Sequence, residues 1–203
     1  MPSMINADEI PGADLKPDEI DQAAEQLRGI GSATADQGGV VLTSWQGIAA
    51  HYEAPESGTL FAVMDPVATK TATFGSNMAL AANALRDFAE EIRPIKAALA
   101  SLKAEARSFK SEVSGGVETS TFSRAGETTR IVEWHEDQET VNRNNQLIAD
   151  VNAQMVLLWA AERTCANRLN DITGQAHIGV TTDSNPNGYG YSEIPEGSAM
   201  PWG

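Results

Sequence analysis

Apolar and small residues recur at Val67, Thr71, Phe74, Met78, Ala81, Leu85, Phe88, Ile92, Ile95, Leu99, Leu102, Ala106, Phe109 and Val113, in alternating steps of four and three. That spacing is the seam of a long helix packed in coiled-coil fashion. Asp65 as N-cap with Pro66 at the first helical position marks its start, and Gly115 with Gly116 its stop. Such a helix is roughly 70 Å long, whereas a compact globule of this chain length is only about 40–45 Å across. The pattern therefore predicts a rod. Pro94 lies off the seam, which resumes in phase at Leu99, so it should bend the helix rather than end it.

A second heptad seam precedes the first. Two rows spaced by seven run through Ile20, Leu27, Thr34, Val41 and Ile48, and through Ala24, Gly31, Gly38, Trp45 and Tyr52. Lys16-Pro17 opens this helix, with Asp18 and Glu19 favourable in its first turn. Gly29, Gly31, Gly38 and Gly39 each lower helix propensity by roughly 1 kcal/mol against alanine. A stretch that keeps register while giving up stability points to close approach of a neighbouring backbone, or to a break near Gly38-Gly39. One kinked helix to about Tyr52 is the expectation. A short connecting helix then opens near Pro55 and reverses the chain.

After Val113 the chain becomes rich in Thr, Ser and Gly, and residues 117–122 and 128–132 can pair as a small β-hairpin around Arg124-Ala125-Gly126. A third long helix is predicted from about Trp134 to Ile172, with its stripe at Val141, Ile148, Val151, Met155, Leu158, Cys165, Leu169 and Ile172 and its stop at Gly174. Its first half is polar (NRNNQ, 142–146), which suits an end that protrudes or meets a partner. The predicted fold is all-α: an elongated antiparallel bundle of three long helices over residues 17–174. A short connecting helix and a β-hairpin at 117–132 complete it. Residues 1–16 read as a flexible lead-in and residues 175–203 as an extended tail or linker, because neither shows periodicity. The MPWG ending looks like an abrupt stop, as if cut from something longer.

Charge narrows the partners. The 203 residues carry a formal net charge of −14, and the pI is near 4.5, which argues against nucleic acid and anionic membrane as partners. No run of eighteen apolar residues exists, so no membrane insertion is expected. The N-terminus has neither a basic n-region nor an apolar h-region, so it is not a Sec-type signal peptide. The single cysteine, Cys165, rules out an internal disulfide and reads as a small buried hydrophobe.

Candidate chemistry is sparse. His51, His135 and His177 are scattered, and no HExxH, CxxC or metal-spaced cluster exists. His135 and Glu139 lie one turn apart, a spacing better explained by a solvated helix start than by a metal ion. Gly29-Ile30-Gly31 lacks the strand that a phosphate-cradling loop requires. The expectation is a chain that is not an enzyme and holds no cofactor or metal.

Against that background Trp45-Gln46-Gly47 stands out, closing the first helix. Tryptophan supplies a large apolar face and one N–H donor, and glycine permits close approach of a neighbour. A W-x-G between two amphipathic helices, in an acidic chain without a signal peptide, resembles the WXG100 superfamily of helical hairpins exported by type VII (ESX) secretion systems. Longer segments strengthen the resemblance: residues 44–57, 65–75, 84–109, 141–154 and 161–172 look like the WXG100- or LXG-like N-terminal helical region of large actinobacterial type VII-associated proteins, many of them polymorphic toxins. Residues 189–203 resemble the connector that leads onward from such a region.

The resemblance implies a targeting and delivery domain of a secreted effector, made in the cytoplasm and exported or displayed at the cell surface by a non-Sec route. Its implied partners are small helical WXG100-like proteins, met near Trp45, Gly47 and Tyr52, and the secretion ATPase. The family's export signal, Tyr-x-x-x-Asp/Glu, has two candidates: Tyr189 with Glu193 in the tail, and Tyr52 with Glu56 after the W-x-G. The chain departs from a simple WXG100 protein in length and in having a third helix. That helix either supplies internally what a partner hairpin supplies elsewhere, or leaves a partner still required. The alternative expectation is a structural rod, or a cargo or adaptor protein of a phage-like or contractile injection assembly.

Overall fold

The computed structural model describes residues 3–123, 126–195 and 197–203, with the side chains of residues 121–123 left aside. Three long helices pack antiparallel: α1 (Pro17–Gln46), α3 (Asp65–Val113) and α4 (Gln138–Thr173). A short helix α2 (Ser57–Ala62) lies between α1 and α3, and strands β1 (Val117–Ser123) and β2 (Gly126–Val132) form the predicted hairpin between α3 and α4. The strands pair from Val117↔Val132 to Ser123↔Gly126, and the expected tip residues Arg124 and Ala125 lie outside the described residues. α1 continues through Gly38-Gly39 and gives way to a 3-10 turn, Gly47–Ala50. α3 continues through Pro94.

The chain divides into two compact units. One comprises Lys16–Glu90 and Glu162–Ile178. Here α1 lies against the first half of α3, with Arg28 donating to Asn83 Oδ1. Gly31 sits on Gly75 and Met78, and Gly38 on Thr71, so the partner numbers fall as those of α1 rise. The sequence placed glycines here for close approach, and the packing shows it: a Cβ on Gly75 would stand 2.8 Å from the Gly31 carbonyl oxygen. Gly29 and Gly39 meet nothing within 4 Å and so contribute only their low helix propensity. The last turns of α4 cover part of this pair, where Arg168 Nη1 meets Asp87 Oδ2 at 2.6 Å.

The other unit comprises Met1–Leu15, Glu91–Ala161 and Gly179–Gly203. The second half of α3 packs against the first half of α4 around Ile92, Leu99, Ala106, Phe109, Val151 and Met155, all buried. Burial of these side chains follows the predicted stripes. Two expectations, for the lead-in and for the tail, give way here. The lead-in is packed: Ile5, Ala7 and Ile10 are buried, Lys103 Nζ donates to the Ile10 carbonyl, and Arg107 pairs with Asp8 at 2.9 Å. Two isoleucines in an aperiodic segment can still fill a groove that helices leave open. In the polar start of α4, residues 142, 143, 145 and 146 are exposed, while Asn144 is fully buried with both of its amide atoms satisfied. The tail has no helix, yet its end is docked: Trp202 is buried and its indole N–H donates to Asn152 Oδ1.

Candidate functional site

Trp45 lies half-buried in the last turn of α1. Its Nε1–H donates to the Leu60 carbonyl oxygen at 2.8 Å, fastening the end of α1 to α2. The indole thus closes the connection between α1 and α3, and its one donor is spent inside the chain. Gly47 departs from the expectation of a close neighbour: a Cβ there would meet nothing within 4 Å. Its φ of −59° is right-handed helical backbone open to any L residue. Tyr52 is exposed and donates from its hydroxyl to Glu56 Oε1 at 3.1 Å, joining the first and last residues of one Tyr-x-x-x-Glu candidate.

The other candidate, Tyr189 and Glu193, lies in the tail on exposed, non-helical backbone. There the Tyr189 amide donates to the Gly179 carbonyl and the Thr181 amide to the Gly190 carbonyl, closing a loop. Gly190, at φ +63°, sits directly on the Trp159 indole. Tyr191 meets the same ring edge-on with centroids 5.7 Å apart. A side chain at residue 190 would collide with Trp159, so glycine is required there both by conformation and by space.

The most distinctive surface is a helical face that α4 does not reach. The Arg168–Asp87 ion pair sets the alignment of α4 against α3. Five residues beyond Arg168, α4 ends at Thr173, level with about residue 82 of α3 in an antiparallel pair. The backbone then turns back: the Gln175 amide donates to the Asn170 carbonyl, and Ile178 exchanges hydrogen bonds with the Asn167 side chain. The α3 seam meanwhile continues toward residue 67. Val67 and Phe74, two of its members, are each 41 % exposed. On α1, Ile30 and Val41 are exposed as well, and Ile48 is exposed in the 3-10 turn that follows.

Helical geometry places these side chains together. Ile30 and Val41 are separated by eleven residues and so point within roughly 20° of one another on α1. They lie roughly 60–100° round α1 from the buried glycine row, and Val67 and Phe74 lie roughly 40–60° round α3 from the inward-facing Thr71. The rotation has the same sense on both helices. Because the helices are antiparallel, both sets emerge on the same side of the pair. Val41, Ile48, Val67 and Phe74 were legible as seam positions. Ile30 was not, and nothing in the sequence marked where α4 would stop covering the seam.

A second feature is a cavity of about 350 Å³ in the other unit, lined by Phe109, Glu112, Glu118, Asp137, Glu139 and Arg143 among others. Several of its polar groups serve the fold. Asp137 Oδ2 accepts from both the Thr140 amide and the Thr140 hydroxyl, at 2.8 and 2.7 Å, at the start of α4. These bonds hold its carboxyl below the ordinary aspartate value. Arg143 pairs with Glu112, whose carboxyl is held below the ordinary glutamate value by the Arg143 hydrogen bond first and the Ser108 hydroxyl second.

A lowered carboxylate stabilises the fold above its unfolded pKa, and that contribution fades as pH falls through the folded one. Both partners are half-exposed, so solvent screens the pair. In an NMR titration the Glu112 side chain of Arg143→Ala is expected to protonate at higher pH than in the parent chain. An unchanged midpoint would show that Arg143 does not hold the carboxylate.

Among the described residues, no group of three His, Cys, Asp or Glu side chains is placed to hold a metal ion. Cys165 is buried, and His177 contacts Asp171 at 2.6 Å on the surface. No described helix is long and apolar enough to cross a membrane. No protein-family model, characterised protein sequence or solved structure matches the chain.

Proposed function

We propose that this chain is a non-enzymatic targeting and delivery module of a type VII-secreted effector, a toxin in the leading reading. Its open α1–α3 face pairs with a small WXG100-like helical protein. The observation that carries the reading is the uncovered apolar surface: Ile30, Val41, Val67 and Phe74 stand exposed on one side of two antiparallel helices, with Ile48 exposed in the 3-10 turn after α1. The heptad spacing selects helices as the occupant, because a helix laid along such rows buries side chains every third and fourth residue. From residue 30 to residue 41 the α1 row spans about 16 Å, the length of three helical turns. Trp45 supports the face from behind by fixing the end of α1, and Tyr52–Glu56 and Tyr189–Glu193 are the candidate signals for the secretion ATPase. Export by this non-Sec route follows from the same reading, and any toxic chemistry belongs to another part of the effector.

The experiment is multi-angle light scattering of the chain mixed with small helical proteins encoded beside it. One of them is expected to bind in fixed ratio, and Val41→Asp with Phe74→Asp to abolish the complex while circular dichroism stays unchanged. Such charges placed in an apolar interface core remain desolvated and unpaired, enough to remove binding by at least roughly tenfold. A complex that survives both substitutions, or a chain that ignores every neighbour, overturns the reading.

A further inference from the structure

Both ends of the described chain are held by one ridge of α4. Asn144, Ile148 and Asn152 follow one another at i, i+4 and i+8, so they rise along the same side of the helix over about 12 Å. The Asn144 side chain takes the lead-in: its Oδ1 accepts from the Ile5 amide at 2.8 Å and its Nδ2 donates to the Ser3 carbonyl at 2.9 Å. Ile148 takes Gly203, where a Cβ would stand 2.6 Å from the isoleucine side chain. Asn152 takes the Trp202 indole N–H at 2.8 Å.

The two ends also bond to each other. The Asn6 amide donates to the Trp202 carbonyl at 2.8 Å. Met200 and Gly203 exchange backbone hydrogen bonds, so the last residues form a tight turn that presents that carbonyl. Ile5 and Trp202, on either side of this bond, are 2 % and 4 % exposed. Apart from one 3-10 turn, Ala7–Glu9, neither segment belongs to a helix or a hairpin that would hold it in place alone. Residues 200–203 keep their place through these contacts, the lead-in has Lys103 on the Ile10 carbonyl and Arg107 on Asp8 besides them, and each segment supplies part of the other's site.

We propose that residues 3–10 and 200–203 form a two-part clasp on the Asn144–Ile148–Asn152 ridge, in which undocking of Trp202 releases the lead-in and loss of the lead-in loosens Trp202. The clasp is a conformational switch. With it closed, Ile5 and Ile10 are buried in this unit; with Trp202 withdrawn, the apolar site of the lead-in opens to solvent. Reciprocity is required thermodynamically: if one docking event favours the other, the coupling must be equal in both directions.

Hydrogen–deuterium exchange on the full chain tests this. Trp202→Ala is expected to speed exchange across residues 3–10 by roughly tenfold, on the scale of a lost buried contact and its hydrogen bond. Asn144→Ala is expected to speed exchange at residues 200–203 in return. Asn152→Ala, which removes only the indole's acceptor, should show the same coupling at smaller amplitude. Peptides from residues 95–109 report whether the unit itself has opened. If Trp202→Ala opens them too, the milder Asn152→Ala decides. Substitutions that loosen only their own segment overturn the clasp.

Discussion

Phe109→Ala is expected to be the most damaging single truncation considered, lowering the stability of its unit by about 3–5 kcal/mol. Phe109 is fully buried in the second half of α3, so the substitution removes a large apolar side chain from a site the surrounding helices cannot fully collapse into. The Arg143 guanidinium lies 5.4 Å from the ring centroid, and loss of that cation–π contact adds about 0.5–1 kcal/mol. Arg143 is also the partner of Glu112, so one vacated volume disturbs both the core and the ion pair above it. Urea unfolding of the variant should show a lower midpoint, and Phe109→Leu should recover much of the loss. A midpoint shift worth less than about 1 kcal/mol would mean that the site refills, and the assignment of Phe109 as a core anchor would fail.

The second large effect distinguishes glycines that read alike in the sequence. Gly75→Val is expected to destabilise the α1–α3 pair by about 2–3 kcal/mol, because its Cβ must enter space held by main chain. That Cβ would stand 2.8 Å from the Gly31 oxygen and 3.0 Å from the Ala35 Cβ. Backbone cannot rotate away as a side chain can, so the two helices must part. Gly39→Ala, on the same helix as Gly31 but facing open space, is expected to stabilise by about 0.5–1 kcal/mol through helix propensity alone. Thermal unfolding followed by circular dichroism reads both signs. A stabilising Gly75→Val would show that α1 and α3 are not in backbone contact there, and would undo the alignment on which the open face rests.

That alignment connects stability to the proposed partner. The glycine row lets α1 and α3 approach so closely that their flanking apolar rows emerge side by side as one surface. A wider spacing would leave a groove between them for the side chains to fall into. Loss of close contact in Gly75→Val should therefore weaken partner capture as well as folding. Gly39→Ala should leave capture intact if the exposed row is the one that binds.

Much of the architecture was written in the sequence because helices announce themselves locally. The alternation of three and four from Val67 to Val113, the Lys16-Pro17 start and the Gly115–Gly116 and Gly174 stops involve residues a few positions apart. Local hydrogen bonding and side-chain periodicity therefore determine them. The β-hairpin was legible for the same reason, through its two Thr-rich runs. Gly31 and Gly38 were legible as a close approach, because helix propensity is given up where register is kept.

What only the tertiary structure decided concerns partners far apart in the chain. The sequence marks Val67 and Phe74 as seam positions, but whether α4 covers them depends on how α4 is aligned along α3, and the Arg168–Asp87 pair reports that alignment across 81 residues. Asn144 reads as one more polar residue in NRNNQ until Ser3 and Ile5 are brought to it from the other end of the chain. Trp202, in a segment without periodicity, becomes an anchor only beside Asn152 and Asn6. Periodicity encodes which face of a helix is apolar; long-range packing alone determines which part of that face is filled, and by what.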